Sequence, residues 1–543
     1  MADQTPTPKD GSGPQTYSRS TASRVADPMP TPGPSTGPQI PAQDPWLKKH
    51  ALTFDGGGVR GYYSLLFAKK LMEYIEQEEK QRGLMEIEGK HHRWEGNVHI
   101  TSFYPCAEPS NVSHLDGNYK PFLPCHYFDY IAGTSTGGLI AIMLGRFRMT
   151  VDDCIHEYKS LSGKVFGKSR PLHALNSPFP FCKYNTKKFE EVIKDVIVRR
   201  VENGRDNPQN VRFDTEHGMC RVFVIANTAD SNHSINDHRF FRSYEISTHL
   251  RPQPTQVSYF QGMRGQHSGR PRDVCVWHVA RATTAAPLYF KPLELTTDAD
   301  LMRATTNPQP RRRITTRSSI AAASRQQVER LEDGGFGRAN NPSKEMLDEI
   351  RRQLPVHMKV GIFVSIGTAR PRGQLTGIRQ WRLIKRTIAL LGDPEPIHTD
   401  MEETATKEPT FSYFRLNKSS HELHVEMDDW VPKGTGQETI TRMTNAFNAR
   451  AAEVDMVQKL QRCAKELVTA RRARAHANPA KWNRFALGSN FECRHCSGEA
   501  RRETDEDKFR VHLREEHNII GEDEIEAELR RSESQWTYRA GQL

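Results

Sequence analysis

The chain has 543 residues, with 77 Lys and Arg against 66 Asp and Glu for a formal net charge of +11, and 36% of it is hydrophobic. That length suits about three domains of roughly 150 residues, or one large α/β domain with appendages. Nine mostly isolated cysteines argue for a reducing compartment rather than a disulfide scaffold. The longest apolar stretch, 130–145, stops at Arg146 and is shorter than the roughly 20 residues that cross a bilayer. The Met-Ala-Asp-Gln start has neither a basic nor an apolar leader segment, so a cytoplasmic protein is expected and a secreted one is not.

Residues 1–45 hold ten of the 33 prolines and read as a disordered tail, because so little apolar surface cannot offset the entropy of ordering. Residues 51–54 form a short apolar run before glycines and predict a buried strand. Residues 64–81 place Leu65, Ala68, Leu71, Met72 and Ile75 on one helical stripe. A second apolar run, 127–132, ends in a Gly-rich turn, and 139–144 continues as a buried helix. Residues 220–226 and 360–366 are β-branched strand candidates. Strands alternating with helices predict a mainly parallel sheet with helices on both faces.

The positive charge invites an anionic partner, either nucleic acid or a membrane surface. It is concentrated in two stretches. Residues 301–330 carry seven Arg against Glu329, net +6, and 461–490 carry seven Lys and Arg against Glu466, again +6. The final stretch, 491–543, has nine basic and fourteen acidic residues, net −5.

Asp55-Gly56-Gly57-Gly58-Val59-Arg60-Gly61 lies between a strand and a helix. It reads as a dinucleotide turn, as an oxyanion hole built from backbone N–H groups, or as a turn needed only for its geometry. Gly133-Thr134-Ser135-Thr136-Gly137-Gly138, also between strand and helix, decides for the oxyanion hole, because it has the form of a nucleophile elbow. Its glycines let the chain turn sharply and present Ser135 at the carboxyl end of the sheet. A serine hydroxyl needs a base. Asp333, in Glu332-Asp333-Gly334-Gly335, can supply one or can be an ordinary Asp-Gly turn. The 22 histidines offer a triad instead, but none stands in a recognisable loop context.

These three motifs, in this order, resemble the patatin-like phospholipase family, whose members include calcium-independent phospholipases A. Phe128-Asp129-Tyr130-Ile131-Ala132 agrees, as do Trp277, Arg281-Ala282-Thr283-Thr284-Ala285-Ala286-Pro287, Asn340-Asn341-Pro342 and Val364-Ser365-Ile366-Gly367-Thr368. The style is similar to cytosolic fungal members, and the resemblance spans about 50–370 before weakening to about 460. It implies a three-layer α/β hydrolase that cleaves fatty-acyl esters of phospholipids or acylglycerols with a Ser–Asp dyad and no histidine. Carried over, Ser135 is the nucleophile and Asp333 the base. The N–H groups of Gly56, Gly57 and Gly58 form the oxyanion hole, and Gly61, Gly133, Gly137, Gly334 and Gly335 are motif glycines. No cofactor is implied for catalysis. Relative to the family, the stretch 83–126 looks enlarged and the Arg-rich 298–327 segment looks like an insertion. Arg60 orients a lipid headgroup or braces the loop, the second being preferred.

At the C-terminal end, Cys493-x2-Cys496 is followed after fifteen residues by His512-x4-His517, with Phe491 and Phe509 at the apolar positions of a two-cysteine, two-histidine zinc finger. Such a ligand set gives structural, tetrahedral zinc. The acidic charge of this segment argues against nucleic acid and for a protein partner, although Arg510 and Arg514 lie on the helix. The expected organisation is a tail at 1–45, an acyl hydrolase domain at 46–370, a helical extension at 371–470, a finger at 485–520 and an acidic tail at 521–543. The partners expected are a lipid substrate and a membrane surface bound peripherally. The competing reading is a regulatory or nucleic-acid-associated zinc-finger protein that uses the hydrolase fold as a scaffold.

Overall fold

A computed structural model describes residues 44–88, 102, 122–168, 182–200, 207–215, 218–228, 238–245, 274–296, 328–336, 338–355, 357–369, 392–417, 425–487, 489–496, 502–503 and 506–535. The Pro-rich tail and the Arg-rich segment expected from the sequence lie outside the described residues.

The centre is an eight-stranded sheet built from β1 (Lys48–Phe54), β2 (Tyr130–Thr134), β3 (Arg221–Thr228), β4 (His238–Arg242), β5 (Leu293–Thr296), β6 (Val328–Asp333), β7 (Lys359–Ile366) and β8 (Ser412–Leu416), in the order β5-β6-β3-β2-β1-β7-β8 with β4 also on β3. The five strands from β3 to β8 are parallel, and the β4, β5 and β6 pairings are antiparallel. Parallel strands are buried on both faces, which is why they read as continuous apolar runs.

Register and the two-residue period of a strand divide the core. Leu52, Ile131 and Val222 align across the sheet with Val364 and face one cluster. Ala51, Tyr130 and Phe363 face the other. The first cluster is covered by α1 (Gly61–Glu88), α2 (Thr136–Ala141), α3 (Val151–Phe166), α4 (Thr186–Arg200), α5 (Val276–Thr283), and later by α8 (Gln437–Ala451) and α9 (Val454–Ala477). The second is covered by α6 (Ser343–Gln353) and α7 (Glu395–Lys407). The α/β architecture with a mainly parallel sheet is therefore as expected.

Some details depart from expectation. The helix after the elbow ends at Ala141 and gives way to a π-helical turn, Ile142–Arg146. Residues 371–470, expected as a helical extension, also supply β8, an edge strand of the same sheet. The basic run at 461–490 is only partly exposed: Arg462 and Lys465 face solvent, whereas Arg471, Arg472 and Arg474 are buried. Arg471 grips Glu79 through two bonds of 2.5 and 2.9 Å, Arg472 adds a third at 2.8 Å, and Arg474 reaches Asp129 at 2.7 Å. All five side chains are buried. Two carboxylates offset part of the charge of these three arginines inside the fold, where an unpaired ion would be costly, and burial keeps the three from a membrane surface.

The chain continues through α10 (Pro479–Leu487) into a C-terminal module. There β9 (Ser489–Glu492) pairs with β10 (Arg502–Glu503) on one side and β11 (Glu533–Gln535) on the other. Two helices, α11 (Glu506–His517) and α12 (Glu522–Ser532), pack on this sheet through Phe491, Phe509, Leu513, Ile525 and Leu529. The stretch expected as an acidic tail is thus part of the module up to Gln535. Among the described residues, no helix is long and apolar enough to cross a membrane.

Candidate active site

Ser135 stands at the junction of β2 and α2 with φ 57° and ψ −128°. A non-glycine residue in such a conformation costs of order 1–3 kcal/mol and persists only where its surroundings dictate it. Here the surroundings hold both flanking peptide groups. The Ser135 N–H donates to Thr283 Oγ1 at 2.8 Å, and its carbonyl accepts from Gly138 and Leu139. Gly133 makes the turn possible, since a Cβ there would lie 2.0 Å from the Gly137 carbonyl oxygen.

The Ser135 hydroxyl donates to Asp333 Oδ2 at 2.6 Å. Asp333 ends β6, which runs antiparallel beside β3, and this pairing brings together two residues 198 positions apart. The other carboxylate oxygen, Oδ1, accepts the Gly335 N–H at 2.8 Å. Asp333 is 2% exposed. Burial pushes its carboxyl up, against the lowering effect of the Ser135 hydroxyl and the Gly335 N–H, to about 7. Among the described residues, no histidine side chain hydrogen-bonds either Ser135 or Asp333. A carboxyl poised near neutrality beside a serine hydroxyl can take its proton.

The Gly-rich loop follows β1. The expectation that all three glycine N–H groups face a developing oxyanion is corrected in one respect: the Gly56 N–H already donates to the Asn340 carbonyl at 3.0 Å. The Val59 N–H is likewise committed, to Met427 at 2.7 Å. Gly57 and Gly58 N–H have no acceptor among the described residues. Gly58 has φ +60°, and a Cβ there would fall 1.9 Å from the Met427 carbonyl oxygen, so only glycine fits. Arg60 is buried and its Nε donates to the Gly57 carbonyl at 3.3 Å, which makes it a brace of the loop.

Several contributors were given no role from the sequence. Asp55, the first residue of the loop motif, is held by Arg415 of β8 through two bonds of 2.9 and 2.6 Å. Burial alone would depress the Arg415 guanidinium, but the Asp55 charge and hydrogen bonds hold it above its ordinary value. Asn227 of β3 donates to the Asp333 carbonyl at 3.2 Å. The Ala285 carbonyl accepts the Asp333 N–H at 3.1 Å.

A second cluster lies in the C-terminal module. Cys493 Sγ is 3.2 Å from His517 Nε2, Cys496 Sγ is 3.5 Å from His512 Nε2 and 3.4 Å from His517 Nε2, and the two Nε2 atoms are 3.2 Å apart. All four ligand atoms lie within 4.8 Å of one another. A tetrahedron around zinc, with bonds of about 2.0–2.3 Å, has edges of about 3.3–3.8 Å, so this donor set fits the ion. Phe491 stacks on Phe509 beneath it. Arg510 and Arg514 are paired with Glu526 and Glu522 of α12.

Residues 115–347 match the family described as patatin-like phospholipase. The chain is 23% identical over 373 residues to the calcium-independent phospholipase A2-gamma of Mus musculus, covering 67% of this chain and 34% of that protein. The Homo sapiens protein of the same name is 24% identical over 302 residues, covering 54% of this chain and 31% of its own length. Phospholipase A I of Arabidopsis thaliana is 24% identical over 348 residues, covering 57% and 23%. The chain thus carries a patatin-like phospholipase domain with distant homology to these proteins, and spans about a third or less of their length.

Proposed function

We propose that this protein is a serine acyl hydrolase acting on fatty-acyl esters of phospholipids or acylglycerols through a Ser135–Asp333 dyad. The observation that carries the reading is the 2.6 Å bond from the Ser135 hydroxyl to a buried carboxyl poised near pH 7. The matched family and the phospholipase relatives support the substrate class.

The ester carbonyl oxygen lies toward the N–H groups of Gly57 and Gly58. Asp333 takes the Ser135 proton as Oγ attacks the carbonyl carbon, and the tetrahedral oxyanion is held by the loop. Collapse breaks the ester bond, the alcohol leaves with the proton from Asp333, and an acyl-serine remains. Water then attacks the acyl carbon, giving its proton to Asp333 and returning it to Ser135 Oγ as the fatty acid departs. The chemistry assigned to these residues needs no cofactor.

Zinc held by Cys493, Cys496, His512 and His517 has a structural role, since four protein ligands leave no open position. The finger contacts protein rather than nucleic acid, and the enzyme works in the cytoplasm, peripherally on membranes. The test is hydrolysis of a panel of phospholipids, acylglycerols and short-chain esters by wild type and Ser135→Ala. Turnover by wild type alone supports the assignment, and equal rates for both on every ester remove it.

A further inference from the structure

We infer that Thr283 is a positioning residue, fixing the direction of the Ser135 side chain through the serine's backbone; the inference rests on the acyl-hydrolase reading above. Thr283 is fully buried at the end of α5. Its hydroxyl has one proton, and that proton goes to the Ile225 carbonyl at 2.6 Å. The oxygen is therefore turned as an acceptor toward the Ser135 N–H, 2.8 Å away.

The consequence is geometric. The bond from Thr283 fixes the peptide plane before the Ser135 Cα, and the bonds from Gly138 and Leu139 fix the plane after it. With both planes held, φ and ψ are set and so is the line from Cα to Cβ. The unfavourable φ of 57° is thereby maintained, and the hydroxyl meets Asp333 rather than relaxing away. Two residues further on, the Ala285 carbonyl accepts the Asp333 N–H. One short turn thus holds the backbone of both members of the dyad. Gly138 makes room for it, because a Cβ there would lie 2.9 Å from Thr283 Oγ1 and Cγ2. The same bond removes the Ser135 N–H from the pool of oxyanion donors and leaves that task to the loop after β1.

Thr283→Val keeps the shape and removes the acceptor. Steady-state hydrolysis of an ester that wild type turns over, followed from pH 5 to 9, tests the inference. Misplacing a reacting group lowers the rate without weakening substrate binding, so kcat should fall about tenfold to hundredfold with KM within about twofold. The midpoint of the kcat/KM profile should move upward, because the Ser135 hydroxyl no longer supports ionised Asp333. Thr283→Ser, which keeps the hydroxyl, should restore kcat to within about threefold of wild type. Should Thr283→Val not fold, Thr283→Ala carries the same expectation. Wild-type kcat and profile in Thr283→Val, or equal impairment in Thr283→Ser, overturn the inference alone. A wild type inert on every ester removes the hydrolase reading and this inference with it.

Discussion

Arg415, on the edge strand β8, reaches both carboxylate oxygens of Asp55 at the end of β1, and both side chains are buried. The pair ties the start of the Gly-rich loop to a strand 360 residues later in the chain. Breaking a buried pair leaves an uncompensated charge, at a cost of about 3–5 kcal/mol, whereas removing both charges together costs far less. Arg415→Met should therefore lower the melting temperature sharply, and the Asp55→Asn, Arg415→Met double variant should recover most of the loss. Calorimetry on the three proteins checks this, and equal destabilisation in the single and double variants would count against the pair.

Asp333 titrates near 7, and a base must be unprotonated to accept the Ser135 proton. Activity should rise about tenfold per pH unit below 7 and level off above it. A kcat/KM profile checks the midpoint.

The same group has a stability signature of definite sign. Its folded pKa lies above the ordinary 3.8, so the neutral form suits the fold. The stability it contributes is complete below about pH 3.8 and is lost as the pH rises through 7. At roughly 1.4 kcal/mol per pH unit the loss is about 4 kcal/mol, an upper figure. Asp333→Asn should be inactive yet more stable than wild type at pH 8, with the gap closing toward pH 4. Denaturant melts across that range measure it.

Zinc removal should unfold the C-terminal module and leave the eight-stranded sheet standing, because the core clusters of the two share no residue. The expected metal content is one zinc per chain in wild type and none in Cys493→Ser. Hydrogen exchange should accelerate over 489–535 in the variant while β1, β2 and β7 stay protected.

Much of this was legible in the chain. The strand that presents Ser135, the glycine turns and the Asp-Gly-Gly motif each announce themselves by residue type and spacing. The Ser135–Asp333 contact needs only that β6 lie beside β3. What escaped the sequence depends on partners far along the chain. Gly56 looks like its two glycine neighbours, but its N–H is taken by Asn340, and backbone pairing of that kind leaves no mark in composition. Charge summed over 461–490 does not show which of its basic residues are buried, because a linear count cannot see that Arg471 meets Glu79, 392 positions away. Arg415 was hidden in a stretch read as helical, since a five-residue edge strand carries too short a period to stand out.

Catalysis through the proposed dyad requires an acyl group carried on Ser135. Acid quench of wild type during turnover of a labelled fatty-acyl ester, followed by peptide mass mapping, tests it most directly. The expected result is one acyl adduct per chain on the peptide containing Ser135, and none in Ser135→Ala. An adduct on any other residue, or fatty-acid release of equal rate from Ser135→Ala, would contradict it.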